Sequence, residues 1–205
     1  MDNHHSSKVE VEAARARRNN LSRKIFDWIS KPHPQDITPF QKSILGIDWD
    51  KSPLGPISAW PIQLKQMVLL VVQDHAPALI FWGDENTVIY NEYFAPLIGN
   101  KHPALQGQDP YVGMPEIWDR FDGLLVTQRE TGEALFERND CLMLYRHGFL
   151  EETYFNWKSI PVIGPEGWVV GIYATGKSPS RRDIFYFGYF QSGLLSRHVV
   201  KVNCF

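Results

Sequence analysis

The chain has 205 residues, enough for one domain with extensions and a sizeable core. Its formal charge of −2 gives no electrostatic case for nucleic acid. Its two cysteines, Cys141 and Cys204, give neither a disulfide framework nor a metal-ligand spacing, which points to a reducing compartment. The strongest apolar run, Met67 to Val72, is far short of the roughly 20 residues that cross a bilayer. The N-terminus, MDNHHSSKVEVEAARARR, has no apolar signal core, so a soluble cytoplasmic chain is expected.

In chain order, residues 1–45 read as a polar N-terminal extension and linker. A short helix is expected over Val9–Trp28, with Ile25, Trp28 and Ile29 as a small apolar edge suited to docking. KPHPQDITP follows as a proline-interrupted linker. Residues 46–60 are turn-rich. Pro61 then suits the first turn of a helix, in which Leu64, Met67, Val68 and Val71 fall on one face. Ala78–Trp82 and Thr87–Tyr90 read as short strands joined by Gly83-Asp84-Glu85-Asn86.

Asn91 is a good helix N-cap, because its side-chain oxygen can accept an orphan backbone N–H. Phe94, Leu97 and Ile98 repeat at helical spacing after it, and Gly99 ends the run. Pro96 predicts that this helix is short or irregular. Further helices are expected over about 115–120 and 121–131, the latter with Leu124, Leu125 and Gln128 on one side and Gly132 as its stop. Three strands close the domain, over about 134–145, 150–162 and 168–175. His147-Gly148 and Gly164-Pro165-Glu166-Gly167 supply the turns between them.

The pattern Asn91-x-x-Phe94-x-x-Leu97-x-Gly99 after a hydrophobic strand resembles the signature of PAS sensory domains. Strand, strand, short helices, then three strands is the PAS element order. Four blocks, DWDKSPLGPISAWP, IFWGDENTVIYNEYFAPLIGNKHPALQG, PEIWD and LEETYFNWKSIPVIGPEGWVVGIY, resemble one PAS subfamily. That subfamily is found near the N-terminus of bacterial and fungal sensor histidine kinases, including hybrid kinases of two-component phosphorelays. The resemblance covers about residues 46–175.

It implies an α+β PAS fold: a five-stranded antiparallel sheet with short helices on one face, here with an N-terminal helical extension. It also implies a small cavity between sheet and helices. As partners it implies a small-molecule ligand, a second PAS domain in a homodimer, or a kinase. No phosphoacceptor-histidine helix, ATP-binding domain or receiver domain fits in the remaining sequence, so a noncatalytic module is expected.

The resemblance stops near Thr175, and residues 176–205 form an atypical tail. The codons of Gly176-Lys177-Ser178 can be written GGT-AAG-TCN, which contains a splice-donor-like GTAAGT. Translation of a retained intron or a mispredicted exon end is therefore expected. The alternative is a natural short form whose aromatic tail docks on the sheet.

No catalytic constellation is found. Glu151 and Glu152 are adjacent, so on a strand they face opposite ways and cannot act as a facing acid–base pair. The histidines are scattered, and His102 and His147 are expected as exposed turn residues. Some PAS domains bind haem through a histidine on the long helix, but none lies in 121–131. Light-sensing flavin-binding PAS domains need a cysteine in an Asn-Cys-Arg-Phe-Leu-type helix. Cys141 falls instead in an expected strand, where it reads as a buried structural thiol.

No cofactor is therefore assigned. The remaining site is a pocket. Strand alternation places Phe155 and Trp157 inward with Thr153, opposite Phe81, Phe94, Ile98 and Leu125. The same six residues would also serve as plain core. Sequencing the spliced transcript tests the tail: a message lacking codons 176–205 is expected, and one that keeps them in frame overturns the intron reading.

Overall fold

The computed structural model describes residues 3–19, 25–31 and 37–177. Helix α1 runs Asn3–Asn19, and α2 runs Pro39–Leu45. Helix α1 starts earlier than the expected Val9–Trp28 helix; of that span residues 20–24 lie outside the described residues, and residues 25–28 are not helical. Within the expected apolar edge, Trp28 and Ile29 are buried while Ile25 is exposed. Helix α2 starts with a full capping box. The Thr38 hydroxyl accepts from the Gln41 N–H, and the Gln41 side chain accepts from the Thr38 N–H.

Helix α3, Ile62–Gln73, buries Leu64, Val68 and Val71, while Met67 is only half-buried. Strands β1, Ala78–Trp82, and β2, Thr87–Tyr90, form the hairpin expected from the sequence. Short helices α4, Ala95–Ile98, and α5, Pro110–Gly113, lead to α6, Pro115–Thr131. Strands β3, Leu135–Arg146, β4, Phe149–Ile163, and β5, Val169–Lys177, complete a wholly antiparallel sheet in the order β2-β1-β5-β4-β3.

Helix α6 is continuous where two helices were expected. Trp118, Leu125 and Gln128 are its buried positions and keep one face across the polar run Asp119-Arg120 and Gly123. Gly132 ends it in the left-handed region, φ 71°, as its position after the last periodic residue predicted.

Every residue of β1 and β2 is buried, because both faces of that part of the sheet are covered. On one face Ile80, Trp82 and Ile89 pack against Trp28, Ile44, Trp49, Trp60 and the buried side of α3. On the other, Leu79, Phe81, Val88 and Tyr90 pack against Ile98, Leu105, Met114, Trp118 and Leu125. The segment 28–45 therefore contributes core residues as well as linkage. On the second face β3 and β4 are covered by Leu97 and the α6 residues Ile117, Phe121 and Leu124, while on the first face Val162 of β4 joins the cluster among the described residues.

Strand β2 is an edge strand, and the loop before α5 shields it. The Gln106 side chain accepts from the Tyr90 N–H and donates to the Tyr90 carbonyl, at 2.9 Å each. Val88 N–H donates to Gln108, and Gly107 N–H donates to Val88. A row of backbone groups open to foreign strands is closed in this way.

Asn91 sits at the junction of all these elements and is fully buried. Its Oδ1 accepts from Ala78 N–H, at the start of β1, and from Phe94 N–H. Its Nδ2 donates to the carbonyls of Asp74 and Ala76. It caps the turn 91–94 rather than a helix proper, since α4 begins four residues later. Replacing it with alanine removes the side-chain partner of the buried Ala78 N–H and of the part-buried Asp74 and Ala76 carbonyls, and leaves Phe94 N–H only its bond to the Asn91 carbonyl; a buried group left unpaired costs about 1–3 kcal/mol. Asn91→Ala is expected to lose about 3 kcal/mol of unfolding free energy in urea titration. Asn91→Asp is expected to be destabilised as well, despite equal size, because its second oxygen would face two carbonyls with no proton to give. A stability of Asn91→Asp equal to wild type would contradict this account.

Candidate functional site

A cavity of about 90 Å³ lies between the second face of the sheet and helices α4 to α6. Strand β1 supplies Leu79 and Phe81, and the α4 region supplies Phe94, Leu97 and Ile98. Met114, Ile117, Trp118 and Phe121 come from α6 and the residue before it. Leu142 and Leu144 on β3, Phe155 and Trp157 on β4, and residues 174–176 on β5 form the floor.

Of the six residues singled out by sequence, Phe81, Phe94, Ile98, Phe155 and Trp157 line this cavity. Leu125 is buried in the adjoining cluster, one turn further along α6 than Phe121, and does not line it. Leu142 and Leu144 were not foreseen. Their phase is set by a β-bulge between the pairs Glu137–Trp157 and Asp140–Phe155, where Asn139 takes φ 53°. One extra residue on β3 turns Asp140, Leu142 and Leu144 inward and Cys141 outward. Cys141 is therefore exposed, which corrects its expected role as a buried thiol.

Most polar groups around the cavity are tied to protein partners, and its lining is largely apolar. Asp140 is buried and accepts from the Trp157 indole N–H at 2.7 Å and from Arg120 of α6 at 2.5 Å. The Trp157 ring, held this way, lies 5.4 Å from that of Phe121. Gln128 of α6 joins Ser159 of β4: the Ser159 hydroxyl donates to Gln128 Oε1 at 2.7 Å. The hydroxyl of Thr175 donates to the Pro77 carbonyl.

At the other end, Arg146 donates to the Leu97 carbonyl and to Glu151. Glu151 also bonds His147 at 2.8 Å. Lys101 reaches Glu116 and the Gly113 carbonyl, and Glu116 accepts from the Tyr145 N–H. These bonds pin α4 and α6 to the β3–β4 hairpin. Arg129 of α6 donates to the carbonyls of Val169 and Gly83 and to Asn86, and its burial lowers its pKa.

His102 is half-buried and bonds the hydroxyl of the buried Tyr90 at 2.8 Å, so it is no free turn residue. Burial pushes the Tyr90 hydroxyl well above its usual pKa. On the opposite face, burial and a hydrogen bond to Asp74 push the Tyr173 hydroxyl up to about 12.

Cofactor fit follows from the lining. Sites for organic ligands occupy about 300–1,000 Å³, several times the about 90 Å³ here. No lining residue is a histidine or a cysteine, so neither an axial haem ligand nor a flavin-reactive thiol faces the space. The residues present fit neither haem nor flavin. Among the described residues no group of His, Cys, Asp and Glu is placed to hold a metal ion, and no helix is long and apolar enough to cross a membrane.

No family model matches this sequence, and no curated protein matches it. Among solved structures, the PAS domain of BvgS from Bordetella pertussis is 20% identical, with 60% of this chain and 90% of that one covered at a TM-score of 0.47. A PAS domain from Colwellia psychrerythraea is 13% identical, covering 58% of this chain and 98% of that one at 0.44. A sensory box sensor histidine kinase from Vibrio cholerae is 17% identical, covering 58% and 95% at 0.39. The element order and the five-stranded antiparallel sheet with its helices between β2 and β3 make this a PAS fold.

The hairpin-end ion cluster gives a pH prediction. Burial works to raise the Glu151 pKa, but hydrogen bonds from His147 and Arg146 and their charges outweigh it and hold the carboxyl below its usual value. A depressed folded-state pKa means that the stabilisation is complete above the ordinary glutamate value of about 4.3 and is lost as the pH falls through the folded-state pKa. Urea midpoints measured across that window are expected to fall less steeply in Glu151→Gln than in wild type. Parallel acid limbs would remove Glu151 from the acid sensitivity.

Proposed function

We propose that this chain is a noncatalytic, cytoplasmic sensory module related to the sensor region of histidine kinases. A ligand held between the sheet and α4–α6 shifts the balance between two packings, and a kinase reads that shift. The observation that carries the reading is the apolar cavity between sheet and helices, whose walls are pinned by polar bonds at both ends. The four sequence blocks that resemble sensor-kinase PAS domains support the link to a kinase. A switch from 1:99 to 99:1 needs about 5.5 kcal/mol of differential binding, so a small ligand would bias rather than fully throw it.

A specific observation favours a second reading, a ligand-free dimerisation module. Among the described residues the outer face of β3 and β4 carries Met143, Tyr145, Leu150, Tyr154 and Ile160, all at least 37% exposed. Strict alternation on β5 would put Trp168, Val170 and Ile172 on one such face, but they do not share one. A bulge between the pairs Val162–Gly171 and Ile163–Val169 changes the phase. It leaves Trp168 exposed, Val170 against the α3 side and Ile172 fully buried on the cavity side.

The test is a fusion of the full chain to a histidine-kinase core. Filling the cavity with Ala174→Leu is expected to change autophosphorylation several-fold, with the fusion still folded by circular dichroism. An unchanged rate would overturn the sensory reading. A concentration-dependent mass that falls to the monomer in Leu150→Glu would favour the dimer reading instead.

A further inference from the structure

We infer that the cavity accepts a small, uncharged, nonpolar molecule, of the size of a heavy noble gas atom, a dissolved gas or a short hydrocarbon. The inference rests on the sensory reading and narrows its ligand to a class.

Size sets the first limit. An apolar protein cavity of about 150 Å³ takes benzene or xenon, and this one is smaller, about 90 Å³. Planar multi-ring cofactors and nucleotides are far too large for it.

Chemistry sets the second limit. The lining contains no carboxylate, amine, guanidinium or imidazole. Its one hydroxyl, on Thr175, is committed to the Pro77 carbonyl, and the Trp157 indole N–H is committed to Asp140. A charged ligand would lose its hydration and find no counter-charge, a cost of several kcal/mol at least. Water fares badly in such a space, since it needs two to four polar partners. A nonpolar molecule meets neither penalty. It gains dispersion contacts with walls that otherwise lack partner atoms on one side.

The walls also suit a reporter of occupancy. Residues 174–176 of β5 lie on the cavity floor, and β5 sits between β1 and β4. Phe121 and Trp157 meet there from α6 and β4. An atom placed among them lies against β4, β5 and α6 together, so its binding energy couples their relative positions.

The experiment is methyl NMR of the full chain under xenon pressure, with sodium acetate as a charged probe of similar size. Saturable shifts confined to methyl groups such as those of Ile98, Ile117, Leu142 and Leu144 are expected with xenon and not with acetate. Ala174→Leu, and separately Leu144→Phe in case the first disturbs folding, are expected to abolish them. Xenon shifts that do not saturate, that persist in both folded variants, or that acetate reproduces would overturn the inference. So would stoichiometric retention of haem or flavin by the wild-type chain. The kinase fusion separates the two readings. Saturable xenon binding with a fusion indifferent to Ala174→Leu sinks the sensory reading and leaves the ligand class standing. A responsive fusion without saturable xenon binding does the reverse.

Discussion

Four hydrogen bonds from one buried side chain set the geometry of this domain. Asn91 closes β2, and its amide reaches back to the start of β1, to the residues after α3, and forward to the first turn of the helical run. An amide is the only side chain of this size that offers an acceptor on one side and two donors on the other. Both are used here, and the side chain is wholly out of solvent. Its consequence is directional: the chain leaves β2 toward the face where Phe81 and Tyr90 point, so α4 to α6 must stack there. On that face the helical run opens with a short α4, which carries Pro96 in its first turn and stops at Gly99.

The opposite face of the sheet is closed by a different device. Trp28, Ile44, Trp49 and Trp60 join α3 to fill the space over β1 and β2. Two of those indoles are satisfied locally: Trp49 donates to the Ile44 carbonyl and Trp60 to the Gly55 carbonyl. The rings at Trp49 and Trp60 meet edge to face, 4.8 Å apart. This layer covers one face of β1 and β2, reaches β5 through Val170 and Tyr173, and touches β4 only at Val162. The long β3–β4 hairpin is therefore fixed mainly from the cavity side, through Asp140, Glu116, Arg146 and Ser159. The less constrained part of the sheet is also the part that forms the cavity floor.

Much of this was legible in the sequence, and what was not has identifiable causes. The β1–β2 hairpin could be read to the residue because short β-branched and aromatic runs end abruptly at Pro77, at Gly83–Asn86 and at Asn91. The β4 alternation was readable over Thr153–Lys158 because that stretch carries no irregularity. Strand β3 was not, because Asn139 inserts a residue that no polar-apolar pattern announces. That single bulge misplaces Cys141 and hides Asp140, Leu142 and Leu144. The bulge in β5 defeats the Trp168-Val170-Ile172 series in the same way. Leu125 was right as a buried position and misplaced along the axis of α6, since periodicity fixes the face of a helix but not which turn meets a cavity. Asn91 was recognised as a cap, yet three of its four bonds go to residues at least thirteen positions back in the chain, which no local rule can supply.

The two bulges carry the functional consequence. Each lets one strand keep apolar residues inward on both sides of the irregularity while its outward series changes phase. On β3 the result is that Asp140, the partner of Trp157 and Arg120, stands opposite Phe155, where an unbroken strand would have put Asn139. A carboxylate at that point binds helix α6 and strand β4 to the same two oxygens. If α6 shifts, Arg120 pulls on one oxygen; if the cavity floor shifts, Trp157 pulls on the other. Motion at the floor and motion of the helix are thus mechanically joined at one buried group. That shared anchor holds β3, β4 and α6 together at the rim of the cavity.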